Sequence, residues 1–327
     1  MDIKPEVVER LKKLEEKYAA MGQDMVSYLD GLLYSDYLTY WDYIHLDTLL
    51  SLQNPKTQFP DEQIFIIYHQ ITELYFKLSL LEFEQMAAQE KPEVNHLVKH
   101  VTRINRYFEN LIHSFDIMVD GMEQQQFLKF RMALLPASGF QSAQYRMVEI
   151  AATDFYNLLS AEAKEKLEEQ NEISYEEMIK NIYWGAGATE LATGKKTLTL
   201  RQFEKKYFNQ LIKLAHQYKN NNLWQLYLKL SEEDRLNQKI IQAMRQLDVN
   251  VNINWPLSHY KSAVRYLQRD PEDIKATGGT NWQKYLPPRF QKRIFYPKLW
   301  TPEEIVNWGK GWVHQVLNIP TEIFHPK

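Results

Sequence analysis

Apolar residues recur at helical spacing through nearly the whole chain, and almost nowhere do they alternate as a half-buried strand requires. Val7, Leu11, Leu14 and Tyr18 lie along one face of a helix. Asp61 and Glu62, directly after Pro60, open a long helix running to about residue 89, with the acidic pair at the positive end of the helix dipole. Its apolar set of Phe65, Ile66, Leu74, Phe76, Leu78 and Leu81 is broad enough to be buried on several sides. Further helices are expected over about 93–119, 122–135, 141–159, 174–184, 199–218, 222–247, 256–268 and 302–317. The one alternating stretch, VNVNIN at 249–254, reads as a short strand or, given its asparagines, a loop. No Pro/Gly/Ser linker and no internal repeat divides the chain, so the expectation is one all-α domain over 1–327. Its marked loops fall at 135–139, 185–194 and 276–280, where a loop-built site is expected.

Composition narrows the function. The 327 residues are 44% hydrophobic and 25% charged, ordinary globular material with enough length for a sizeable core. The net charge of −3 offers no basic stripe for nucleic acid or an anionic membrane. With no cysteine, disulfide scaffolds, Cys-ligated metals and thiol nucleophiles drop out. The charged N-terminal sequence lacks the apolar core of a secretory signal, and no stretch approaches the roughly 20 apolar residues of a membrane span, so a cytoplasmic location is expected. An aromatic content of 13% suits helix interfaces, or a flat aromatic ligand if specific residues support one.

Most motifs favour the plainer interpretation. Gly185-Ala186-Gly187 lacks the preceding strand and third glycine of a dinucleotide loop, and no phosphate loop or GxSxG elbow is present. His96 and His100, four apart, could share a metal, but a solvated helix face is favoured without a carboxylate partner. His69, on the apolar helix, reads as a satisfied core histidine. His259 heads a helical run, HYKSAVRYL; neutral imidazole there is a good axial haem ligand, while a structural role is the commoner fate of a lone histidine. Arg131, in the largely apolar FLKFR, needs a carboxylate from the protein or from a ligand.

Several blocks together are similar to the tryptophan 2,3-dioxygenase family. Leu38-Thr39-Tyr40-Trp41-Asp42-Tyr43-Ile44 resembles its N-terminal LTYxxYL segment. Asp61 to Gln70, DEQIFIIYHQ, resembles its DExLFIIxHQ helix, continuing as ELYFK at 73–77. Phe130-Arg131, then SGFQS at 138–142 and QYR at 144–146, resemble its FR…SGFQSxQYR block, and His259 with Thr277-Gly278-Gly279 resembles its haem-ligand helix and TGG loop. The likeness runs from about 38 to 285, leaving 1–37 and 286–327 as extensions. It implies an all-α fold, one haem b per subunit, a homotetramer, and insertion of O2 across the indole C2–C3 bond of L-tryptophan to give N-formylkynurenine. It further implies that His259 ligates the iron, Arg131 pairs with the substrate carboxylate and Thr277 binds the amino-acid head group. Phe127 would line the pocket where the family has a tyrosine; Ser138 and Gly139 would line the distal haem pocket; Tyr40, Tyr43 and Ile44 would close a neighbouring subunit's site.

Two departures bear on chemistry. Pro60 stands where the family has the distal histidine that hydrogen-bonds the indole N–H, and a proline side chain can neither donate nor accept. Phe127 in place of tyrosine removes another polar group. Dioxygenation does not need the distal base, but selectivity for an unsubstituted indole should weaken. The alternatives are a haem mono-oxygenase or peroxygenase acting on a tryptophan derivative or another aromatic amino acid, and a non-catalytic haem- or amino-acid-binding protein.

Overall fold

The computed structural model describes residues 3–35, 39–134, 141–167, 173–186, 188, 195–267 and 292–310. The expected all-α architecture is what these residues form. No strand occurs among them, only an isolated bridge between Leu159 and Ile182. The chain divides into two compact units, Met1–Asn54 and Pro55–Lys327.

The first unit holds α1 (Pro5–Ala20), α2 (Met25–Leu33), α3 (Tyr40–Tyr43) and α4 (Leu46–Leu50). Pro5 begins α1 where its missing N–H costs nothing, and Asp24 caps α2 by accepting from the Val26 and Ser27 amides. None of these helices buries a residue fully.

In the second unit the order is α5 (Asp61–Ala87), α6 (Val94–Ser114), α7 (Asp116–Asp120), α8 (Gln124–Phe130), a 3-10 turn at Arg131–Leu134, and α9 (Ala143–Ala152). A 3-10 turn at Phe155–Leu158, α10 (Ala161–Leu167), α11 (Tyr175–Met178), α12 (Tyr183–Ala186) and α13 (Leu198–Tyr218) come next. Then come α14 (Leu223–Leu228), α15 (Glu232–Arg235), α16 (Gln238–Val249), α17 (Trp255–Leu267) and α18 (Pro302–Val306). The helix expected over 222–247 is thus three, because Ser231 and Asn237 each cap a new start with their side-chain oxygens.

The core is built on α5, α6, α9, α13 and α16. On α6, Val94, Leu97, Val101, Ile104, Phe108 and Leu111 are buried at steps of three and four, one continuous stripe. On α5 the buried face is Tyr68, Thr72, Phe76, Leu80 and Phe83, while Leu74, Leu78 and Leu81 are exposed. The helix is therefore buried along one side rather than several, since 3.6 residues per turn carry 74, 78 and 81 away from the face that packs on α6.

The VNVNIN stretch is neither strand nor loop. Residues Asn250–Asn254 form one turn of π-helix between α16 and α17. Its asparagines hold the wide turn: Asn254 donates to Asn250 Oδ1 at 3.0 Å, Asn252 donates to Asp248 at 2.7 Å, and Asn250 donates to Asn105 on α6 at 3.3 Å. A π-turn adds a residue to the helical ladder and so rotates the helix after it, here the one bearing His259.

Candidate active site

His259 lies on the first turns of α17. That helix is tied to the α7 region by Ser262 Oγ donating to the Met118 carbonyl (3.3 Å) and by Tyr266 OH, 3.1 Å from the carbonyls of Val119 and Met122. Upstream, Tyr145 OH on α9 donates to the Val251 carbonyl of the π-turn at 2.8 Å. The His259 ring packs 5.9 Å from Phe115, itself 5.0 Å from Trp255 and 5.6 Å from Tyr68. Burial, with a smaller contribution from His69, pushes the His259 pKa down to about 4. The imidazole is therefore neutral at ordinary pH, and among the described residues it has no hydrogen-bond partner. The residue is half-buried.

The aromatic cluster extends to α5 and α8. Phe127 sits 4.7 Å from Tyr266, 5.5 Å from Phe130 and 6.4 Å from Phe65. Phe65 in turn lies 4.0 Å from His69 on the next turn. His69 Nδ1 is 2.7 Å from the Phe65 carbonyl, so the ring is satisfied as expected, but the residue is exposed and not part of the core, since it lies on the flank of α5 turned away from the buried face. Arg131 follows Phe130 at the end of α8 and is 6% exposed; burial lowers its pKa.

The acidic pair after Pro60 explains how α8 is held. Asp61 Oδ2 accepts from the Glu123 amide (2.6 Å) and the Asp61 amide donates to Gln126 (3.3 Å), which fixes the first turn of α8 and with it Phe127 and Arg131. Glu62, wholly buried, accepts from the Lys56 and Thr57 amides at 2.7 Å and from Thr57 Oγ1 at 2.6 Å. Burial acts to raise the Glu62 pKa, and these hydrogen bonds outweigh it and hold it below the ordinary value. Pro60 occupies the N-cap of α5 in helical conformation and makes no side-chain cap bond.

Of the residues singled out in the sequence, His259 and Phe127 meet in one aromatic cluster, with Arg131 directly after it. Tyr40 and Tyr43 on α3 are 71% and 73% exposed, and Ile44 beside them is half-buried; all three belong to the first unit. Ser138, Gly139 and Thr277 lie outside the described residues, as do the loops at 135–139 and 276–280 and the end of the last expected helix. His96 and His100 do not form a solvated face. His100 is 1% exposed and pairs with Glu82 of α5, which also accepts from Tyr107 OH at 3.0 Å, so the missing carboxylate comes from another helix. No group of three His, Cys, Asp or Glu side chains able to hold a metal ion occurs among the described residues.

Sequence reasoning missed a buried polar network behind the site. Glu149 on α9 pairs with Arg146 one turn earlier (3.1 Å) and with Arg293 (2.7 Å). Arg293 Nη2 also reaches Tyr145 OH at 3.1 Å. Asp248 accepts from the amides of Phe295 (2.9 Å) and Tyr296 (3.1 Å) and from Trp300 Nε1 (3.0 Å). The signals are the three-residue spacing of Arg146 and Glu149 and the asparagines at alternate positions after Asp248.

The model of the family described as tryptophan 2,3-dioxygenase matches residues 30–265, most of the chain. Among curated proteins, one named tryptophan 2,3-dioxygenase from Ruegeria sp. strain TM1040 is 40% identical over 117 residues, 36% of this chain and 42% of that protein. One of the same name from Polaromonas naphthalenivorans strain CJ2 is 38% identical over 119 residues, again 36% and 42%. A third, from Anaeromyxobacter sp. strain K, is 36% identical over 121 residues, 37% and 45%. The chain therefore aligns with less than half the length of these relatives. No helix among the described residues is long and apolar enough to cross a membrane.

Proposed function

Since the chain belongs to the tryptophan 2,3-dioxygenase family, we propose that it is a haem-dependent dioxygenase that opens the indole ring of L-tryptophan with O2 to give N-formylkynurenine. The observation that carries this is His259: a neutral imidazole, set by a π-turn against a wall of aromatic rings. Neutral imidazole is the state an axial haem ligand requires, and Phe115, Trp255, Phe127 and Tyr266 are surroundings suited to a flat apolar macrocycle. Haem, when bound there, supplies the iron at which O2 is activated.

The chain's own residues account for binding and orientation. Arg131 is buried, and a guanidinium at the end of an apolar helix is suited to the carboxylate of a free amino acid. Phe65, Phe127 and Phe130 give an aromatic wall for the side-chain ring and exclude water from it. Thr277, Ser138 and Gly139 take their roles at the head group and distal pocket from the resemblance alone, as do Tyr40, Tyr43 and Ile44 in closing a neighbouring subunit's site. A homotetramer and a cytoplasmic location belong to the same proposal. Pro60 supplies no acceptor for the indole N–H, and together with Phe127 it favours a second possibility, mono-oxygenation of a substituted tryptophan or another aromatic amino acid by the same site.

Haem spectroscopy tests the ligand directly. His259→Ala should lose stable haem and its Soret band while keeping its helical circular dichroism. A variant that retains the parent's ferric spectrum refutes the assignment.

A further inference from the structure

Away from the proposed haem site, α9, α11, α13 and the 3-10 turn Phe155–Leu158 enclose a cavity of about 180 Å³. None of His259, Arg131 or Phe127 lines it. At about 30 Å³ per liquid water it has room for about six heavy atoms. Asp154 lines it, and its carboxylate is held by Asn222 Nδ2 (3.1 Å) and Gln225 Nε2 (2.8 and 3.0 Å). Both donors are neutral amides. Among the described residues no Lys, Arg or His comes within ion-pair distance of Asp154, and Lys164 donates to the Asn157 carbonyl instead, at 3.1 Å. A neutral side-chain amide at 154 would keep the two bonds made to Oδ1 but would set an N–H2 group against Gln225 Nε2 in place of the bond made to Oδ2. The carboxylate thus tethers α14 through neutral donors, which leave its charge uncancelled.

The remaining walls are aromatic. Phe155 and Tyr218 are buried, and Tyr175 packs edge-on against Phe155 at 5.5 Å. Burial, and after it the Asp154 charge, raise the Tyr175 pKa, so the carboxylate and the ring share one local field. Exposed Tyr156 and Lys219 form the rim, where water and salt screen the lysine.

We propose that this cavity binds a small organic ammonium ion, its charge set against Asp154 and its alkyl groups against the rings of Phe155, Tyr175 and Tyr218. Aromatic faces attract cations electrostatically, most strongly where water is excluded, and the carboxylate supplies the counter-charge. The site is independent of the haem proposal, and either stands if the other fails.

Calorimetric titration of the full chain at fixed ionic strength decides it, with tetramethylammonium chloride as the cation and tert-butanol as an uncharged probe of similar size. Saturable binding of the cation, at least about tenfold tighter than the alcohol, is expected. Asp154→Asn, which keeps an amide oxygen for Asn222 and Gln225, should weaken the cation at least about tenfold, and Tyr175→Leu should weaken it several-fold. Equal affinity for cation and alcohol, no saturable heat with either, or unchanged cation affinity in the folded variants overturns the proposal. If Asp154→Asn fails to fold, Tyr175→Leu and the comparison of the two probes decide alone.

Discussion

Glu149→Gln is the sharpest structural test of how the His259 helix is supported. Glu149 is wholly buried, and its two oxygens face the Arg146 and Arg293 guanidiniums at 3.1 and 2.7 Å, with Tyr183 OH donating as well. Both arginines are themselves buried. Glutamine keeps one acceptor but sets an N–H2 group against a guanidinium, leaving two positive charges in the interior with no negative one between them. Removing one partner of a buried ion pair costs about 3–5 kcal/mol. Whole domains are stable by only about 5–15 kcal/mol, so about a fifth of the total or more is at stake. The assay is urea unfolding of the haem-free protein, followed by circular dichroism and tryptophan fluorescence, so that ligand binding adds nothing to the comparison. The same principle sets a control: replacing Glu149, Arg146 and Arg293 together by Leu, Met and Met should recover most of the loss, because nothing charged is then left unpaired. A loss below about 1 kcal/mol in Glu149→Gln would refute the claim that this network holds α9 to residues 292–296.

Two further predictions concern pH and selectivity. Burial raises the Asp248 pKa to about 6 from the ordinary 3.8, so the folded state holds that proton more tightly than the unfolded chain does. The resulting stabilisation is fully present below about pH 4 and is lost as pH rises through about 6; relative to the parent, Asp248→Asn should flatten urea stability across that window, and an unchanged slope would contradict it. Pro60→His restores an acceptor without losing a cap, since Pro60 makes none; the ratio of kcat/KM for L-tryptophan over its N1-methyl derivative should rise about tenfold, and an unchanged ratio would mean that residue 60 does not meet the indole nitrogen.

The fold class is legible because 3.6-residue periodicity is a local property, visible in stripes such as Val94 to Leu111. Helix breaks are less so. Those at Ser231 and Asn237 depend on side-chain oxygens capping new starts, and a helical pattern runs straight through such residues. The π-turn reads as a strand or loop because alternating Val and Asn imitates period two; only Asn105 of α6 and the Asp248 carboxylate, far away or buried, make a wide helical turn its best state. Local spacing leaves His259 a histidine at the head of a helix, and its neutral state depends on burial against Phe115 and on His69, which the fold brings from other helices. His100 goes the other way: its carboxylate partner, Glu82, lies on another helix, and no i,i+4 rule reaches it.

Ring opening itself is tested by a single turnover assay. The protein is loaded with haem, reduced, mixed with L-tryptophan in air, and monitored by the absorbance of N-formylkynurenine. Sustained product formation is expected. A Soret shift on adding tryptophan with no N-formylkynurenine would contradict the proposed dioxygenase activity, leaving a haem site that binds the amino acid without opening its ring.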